Sequence, residues 1–214
     1  VSNAESVLGG GGTDTLTLAG TGNTLTVSAV ETIVGSTGDD VVSLGTTVSG
    51  GSFDLGTGTD TLNLANFANT ASVSGVESLV GNSGADIITL TAAQSSGSVD
   101  LGTGVDKLIL ATSGINTLNV ANVESVLGAG GTDTLTFAGG LTGTVIDLGA
   151  LADKITLSND GNDFTASNVE TMVGGTGDDI VTFGAAVSGT TSFTGGAGSD
   201  ELRLFNGANT FTLA

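Results

Sequence analysis

Apolar and small polar residues alternate along most of the chain, in runs of four to six. Thr13-Asp14-Thr15-Leu16-Thr17-Leu18 does so, as do Thr24-Leu25-Thr26-Val27 and Lys107-Leu108-Ile109-Leu110. A period of two puts one row of side chains on each face of a strand, and no stretch keeps the 3.6-residue period of a helix. Gly and Ser clusters punctuate the runs every four to eight residues. The pattern predicts short strands, apolar on the inner face, joined by tight turns.

The alternation starts from the same place each time. A glycine-rich turn delivers an aspartate, at Asp14, Asp40, Asp60, Asp86, Asp106, Asp133, Asp153, Asp179 and Asp200, and the second and fourth residues after it are apolar. Leu16/Leu18, Val42/Leu44 and Val181/Phe183 are three of these pairs. The aspartates are 26, 20, 26, 20, 27, 20, 26 and 21 residues apart, so the repeat is about 46 residues long. Glu31, Glu77, Glu124 and Glu170, each nine residues before an aspartate, keep the same beat, and so do Asn23, Asn69, Asn116, Asn162 and Asn209. A strand-forming repeat of this length predicts an all-β fold, a parallel β-roll or β-solenoid spanning residues 1–214 as one domain. It is expected to have about nine coils of alternating 20- and 26-residue length, the wider coil protruding as a rib. Equivalent residues would then stack about 4.8 Å apart, with an apolar ladder inside and an asparagine ladder at one corner. A 20-residue coil is missing from the first unit, where Glu31 follows Glu5 by little more than half a repeat. The two termini read as nearly in phase, as in a section of a longer stack.

Composition adds a problem of charge. The chain carries 22 acidic and 3 basic residues, a formal net charge of −19, and has no His, Cys, Trp, Tyr or Pro. Three cations cannot offset stacked carboxylates. Bound metal ions can, and the hard oxygen donors available favour Ca²⁺. Disulfides and thiolate metal sites are excluded. Nucleic acid is an unfavourable partner for so acidic a surface, no run reaches the length of a membrane span, and no cleavable leader is visible at the first residue.

The turns resemble those of the repeat-in-toxin (RTX) family, whose nonapeptide is Gly-Gly-x-Gly-x-Asp-x-apolar-x. Gly9 to Asp14, Gly174 to Asp179 and Gly195 to Asp200 match every fixed turn position, the other turns match in part, and Leu148 to Asp153 lacks the glycine two before the aspartate. The resemblance implies Ca²⁺ held between turns of successive coils by the nine aspartates and by turn carbonyl oxygens. The motif comes once per predicted coil, so a single ladder of ions is expected, on one edge. Asp39, Asp178, Asp54, Asp100 and Asp147 are candidates to complete some sites. The glutamates are equally compatible with ligation and with solvent. Lys107, Lys154 and Arg203 are expected to relieve carboxylate crowding.

Function is then expected to be structural: a calcium-stabilised module of a secreted, extracellular or cell-surface bacterial assembly such as an S-layer, a filament or an adhesin stalk. Such a module would fold on binding Ca²⁺ and self-associate end to end. Catalysis is not expected, because without His or Cys neither a His-Glu-x-x-His zinc site nor a Ser-His-Asp triad can form. The alternatives are an ice- or carbohydrate-binding adhesin module and a non-catalytic RTX-like appendage of a secreted enzyme.

Overall fold

The computed structural model of the protein describes residues 4–187 and 191–213. Val1–Asn3 and Ala214, on which the reading of the termini partly rests, lie outside the described residues. Among those described there are 23 strands and no helix. Consecutive strands belong alternately to a first sheet of 12 strands and a second of 11, and all pairings are parallel. The chain is therefore a two-sheet β-solenoid of about ten coils, as the alternation predicts.

The coil lengths differ from those expected. Val41 pairs with Thr61 and Thr61 with Ser78 in successive strands of the first sheet. The same two circuits carry Asp40 to Asp60 and Asp60 to Glu77, offsets of 20 and 17. Ser98 pairs with Asn119 in a circuit only slightly longer. The expected 26-residue coil does not occur among the described strands, and no rib follows from one. The long interval between aspartates is instead one and a half circuits. Asp14 opens Thr15–Thr17 of the second sheet, and the chain passes through the first (Thr24–Ser28) and the second again (Thr32–Ser36) before Asp40 opens Val41–Leu44 of the first.

The core forms as the alternation requires. Leu25, Val42, Leu62, Leu79 and Val99 stack in successive strands of the first sheet and are all buried. The second sheet answers with Ile33, Phe53 and Val73, also in register. Each such side chain contributes roughly 1.5–3 kcal/mol by leaving water. The apolar pairs after the aspartates are buried from Leu16/Leu18 to Val181/Phe183; in the last pair Leu202 is half-buried and Leu204 is 50 % exposed. The shortened first unit is visible too. Ser6–Leu8 pairs directly with Thr24–Ser28, whereas later units insert a strand there, such as Ser49–Gly56 between Thr32–Ser36 and Thr70–Ser74.

One corner recurs with left-handed backbone, at Ala29 (φ 51°), Gly75 (φ 58°), Asn122 (φ 52°) and Asn168 (φ 52°). Gly and Asn tolerate that conformation best. Each of these residues comes two before a repeat glutamate.

Candidate functional site

The nine aspartates occupy both edges of the solenoid. Asp40, Asp60, Asp133 and Asp153 open strands of the first sheet, or lie at their start; Asp14, Asp86, Asp106, Asp179 and Asp200 precede strands of the second. The expectation of a single ladder on one edge is thereby corrected. A 46-residue repeat makes two and a half circuits, so each repeat delivers its pair of aspartates to the edge opposite the last.

On each edge the pair belongs to a four-residue column running Asn, Asp, Asp, Glu. Asn69 donates its backbone N–H to Asp86 Oδ1 (2.8 Å), Asp86 to Asp106 Oδ1 (2.6 Å) and Asp106 to Glu124 Oε2 (2.7 Å). Asn23, Asp40, Asp60 and Glu77 repeat this on the other edge. In a third column Asn116 donates through its side chain to Asp133, which is linked in turn to Asp153 and Glu170. Asn162, Asp179 and Asp200 begin another, and Asp14 with Glu31 forms the end of one. The asparagines therefore do not stack on one another; Asn23, Asn69, Asn116 and Asn162 each head a column of acids. The glutamates are half-buried column members rather than solvated side chains.

Asparagine and aspartate occupy equivalent places in turns of equal length. The Oδ1 of Asn69 accepts the N–H of Val48, just as the Oδ1 of Asp86 accepts that of Asn69. The second atom differs. Asn69 Nδ2 donates to the carbonyls of Ala65 (3.0 Å) and Phe67 (2.5 Å), four and two residues back in its own turn, and to Asp86 Oδ1 (2.9 Å). Asn23 Nδ2 makes the same three bonds. In the aspartates the corresponding atom is Oδ2, which has nothing to donate. The Oδ2 atoms of Asp14, Asp40, Asp60, Asp86, Asp106, Asp133, Asp153 and Asp179 are buried without a hydrogen-bond partner. Asp200 is exposed. Glycine covers the carboxylate in several turns: a Cβ at Gly81 would lie 2.7 Å from Asp86 Oδ2, and one at Gly9 2.7 Å from Asp14 Oδ2.

The electrostatics match this geometry. Burial pushes the Asp60, Asp86 and Asp133 carboxyls up from the ordinary value. It raises Asp106 and Asp153 to about 6, with further contributions from the neighbouring carboxylates Asp86 and Glu124, and Asp133 and Glu170. Buried polar atoms in folded proteins nearly always have partners, so repeated orphaned oxygens mark the place where a positive group fits. Among the described residues no three Asp, Glu, His or Cys side chains converge on one point. A metal ion held here would take much of its coordination from turn carbonyls, the groups that Asn69 Nδ2 contacts in its own turn. Carboxylate and carbonyl oxygens are the hard donors that suit Ca²⁺.

The remaining sequence candidates fall outside the columns. Asp54, Asp100 and Asp147 accept the backbone N–H of Gly56, Gly102 and Gly149, two residues on, in local turns. Asp39 and Asp178 accept from Thr59 and Ser199 of the next coil, at the exposed rim. Arg203 pairs with Glu201 rather than with a turn aspartate, and no ion pair of Lys107 or Lys154 is found among the described residues. The turn before Asp153 lacks the usual glycine, yet Asp153 takes its place in the column; Leu151 there adopts a positive φ of 90°, as Gly58 (148°) and Gly84 (112°) do at the same position in other turns. Comparison with protein-family models, curated protein sequences and solved structures gives no match, so the RTX resemblance rests on the turn motif.

Proposed function

We propose that the protein is a calcium-stabilised structural module of a secreted bacterial cell-surface or extracellular assembly, ordered by Ca²⁺ bound along its two edges. The observation that carries the reading is the set of eight buried Oδ2 atoms with no donor, at positions where the asparagine turns place an N–H. The residues that would hold the ions are the paired aspartates of each column: Asp40 with Asp60, Asp86 with Asp106, Asp133 with Asp153, and Asp179 with Asp200, together with carbonyls of their turns. Asp14 would act with Glu31. Bound Ca²⁺ supplies the positive charge that the chain lacks.

The chain's own groups do the rest. The Oδ1 atoms of Asp40, Asp60, Asp86, Asp106, Asp153, Asp179 and Asp200 tie their coils to the preceding ones through a backbone N–H. Asn23, Asn69, Asn116 and Asn162 head the columns with their own amides, and each glutamate ends one. Without the ions, consecutive buried carboxylates repel at the spacing of adjacent strands, about 4.8 Å, and the coils separate. Filling weak sites at the roughly millimolar Ca²⁺ typical outside cells would then couple binding to folding. Stacking of the solenoid with further coils, from this chain or another copy, belongs to the same reading.

Circular dichroism in EGTA, followed by a Ca²⁺ titration with Mg²⁺ as control, tests it. Strand signal should appear with Ca²⁺; a full strand signal in EGTA would remove the proposal. Negative-stain microscopy checks assembly, and dispersed single particles at high Ca²⁺ would count against it.

A further inference from the structure

The columns break at one level. After each glutamate the next residue on that edge is Val48, Gln94, Leu141 or Val187, and three of these four have no polar side chain to continue the ladder. A notch opens there. The largest, about 130 Å³, is lined by Val123, Glu124, Phe137, Leu141 and Thr144. Its counterpart beside Glu170, Val187 and Thr191 measures about 70 Å³, and the one beside Glu31 and Val48 about 10 Å³.

The fourth position shows what such a notch accepts. Gln94 is 7 % exposed, folds into the corresponding space, and donates Nε2 to the carbonyl of Val76 at 2.8 Å. Val76 corresponds to Val123, one residue before the glutamate in each case. A Cβ at Gly97 would lie 3.4 Å from Gln94 Oε1. The residue at the place of Gly97 in the large notch is Thr144, 3 % exposed, whose hydroxyl has no hydrogen bond to the described residues. Thr191 lines the second-largest notch at the same position, while the smallest has Gly51 there.

The geometry points to the Leu141 notch as a binding site for a carboxamide group. The ligand N–H would go to the Val123 carbonyl, its C=O would accept from the Thr144 hydroxyl, and its alkyl part would lie against Leu141 and Phe137. Gln94 is the same interaction supplied by the chain itself. Glu124 on the rim disfavours a carboxylate in place of the amide. The chemistry is that of a free small amide or of the acetamido group of an amino sugar. It does not depend on the calcium reading, since neither Val123 nor Thr144 belongs to a column.

The test is backbone-amide NMR on the folded protein, with Ca²⁺ present throughout, titrated with acetamide, N-acetylglucosamine, glucose and acetate. Acetamide should shift the signals of Thr144 and Val123, and glucose and acetate should not. A shift with N-acetylglucosamine as well assigns the amino sugar; a shift with acetamide alone assigns the small amide. Leu141→Gln supplies an internal occupant and should abolish the response, while Thr144→Val should weaken it several-fold with the spectrum otherwise retained. No shift with either amide, equal shifts with acetate, or an undiminished response in Leu141→Gln would overturn the proposal. Should the protein prove folded in EGTA, the same titration there separates failure of this site from failure of the calcium reading.

Discussion

Asp86 donates its backbone N–H to Asp106 Oδ1 at 2.6 Å, so one carboxylate clamps the backbone that carries the other, while the Oδ2 of each is left without a partner. The same two groups thus join adjacent coils and press negative charge between them.

Replacing Asp86 by Asn should turn its turn into a copy of the Asn69 turn, with Nδ2 donating where Oδ2 cannot. In EGTA the Asp86→Asn protein should be more stable than the parent by about 1–3 kcal/mol, the usual cost of an unsatisfied buried polar group. In Ca²⁺ it should gain less from the ion. Strand signal of both proteins followed against Ca²⁺ concentration checks this: the variant should fold at lower Ca²⁺ than the parent, and a variant that needs more would contradict it.

The acid dependence of the ion-free protein should run opposite to ordinary acid denaturation. Asp106 and Asp153 titrate near 6 when folded, against a reference value of 3.8. Between those values the folded state binds protons that the unfolded chain does not, so stability rises as pH falls from 7 towards 4 and is lost again as pH climbs through 6. Each group contributes at most about 3 kcal/mol. Strand signal in EGTA at pH 7 and pH 5 checks it, with more expected at pH 5, and saturating Ca²⁺ should remove the difference.

Asn69 should be among the least replaceable polar residues. It is 1 % exposed, and its amide bonds two turn carbonyls and Asp86 while accepting the N–H of Val48. Asn69→Ala should cost roughly 3 kcal/mol or more, since it strands several buried groups at once. Denaturant unfolding at fixed Ca²⁺ gives the value.

Leu151 offers the reverse case. It is 63 % exposed and holds φ at 90°, where other turns use glycine. Leu151→Gly removes that strain at little cost in packing and should stabilise the protein by about 1 kcal/mol. A rise in melting temperature checks it, and a fall would show that the leucine packs in solution.

Strand positions and core faces were legible in the sequence because a period of two maps directly onto inside and outside. Val42, Leu62 and Ile88 could be assigned inward from their neighbours alone. The edge to which each aspartate goes was not legible, because the longer aspartate interval does not say whether it spans one circuit or one and a half. A usable signal lay between unlike residues. Asn23 to Asp40, Asp40 to Asp60 and Asp60 to Glu77 are 17, 20 and 17 residues apart, each a single circuit. Asparagines, aspartates and glutamates look like three separate series in the sequence but share one column in the fold. The Gln94 plug could not be read at all, since its meaning depends on what stands at Leu141 and Thr144 in the equivalent coil.

The half-integral winding of the repeat gives the protein a parity. Adding or deleting one 46-residue unit turns everything beyond it to face the other way, whereas two units restore the original heading. The number of units therefore sets the direction in which a distal surface points, as well as its distance.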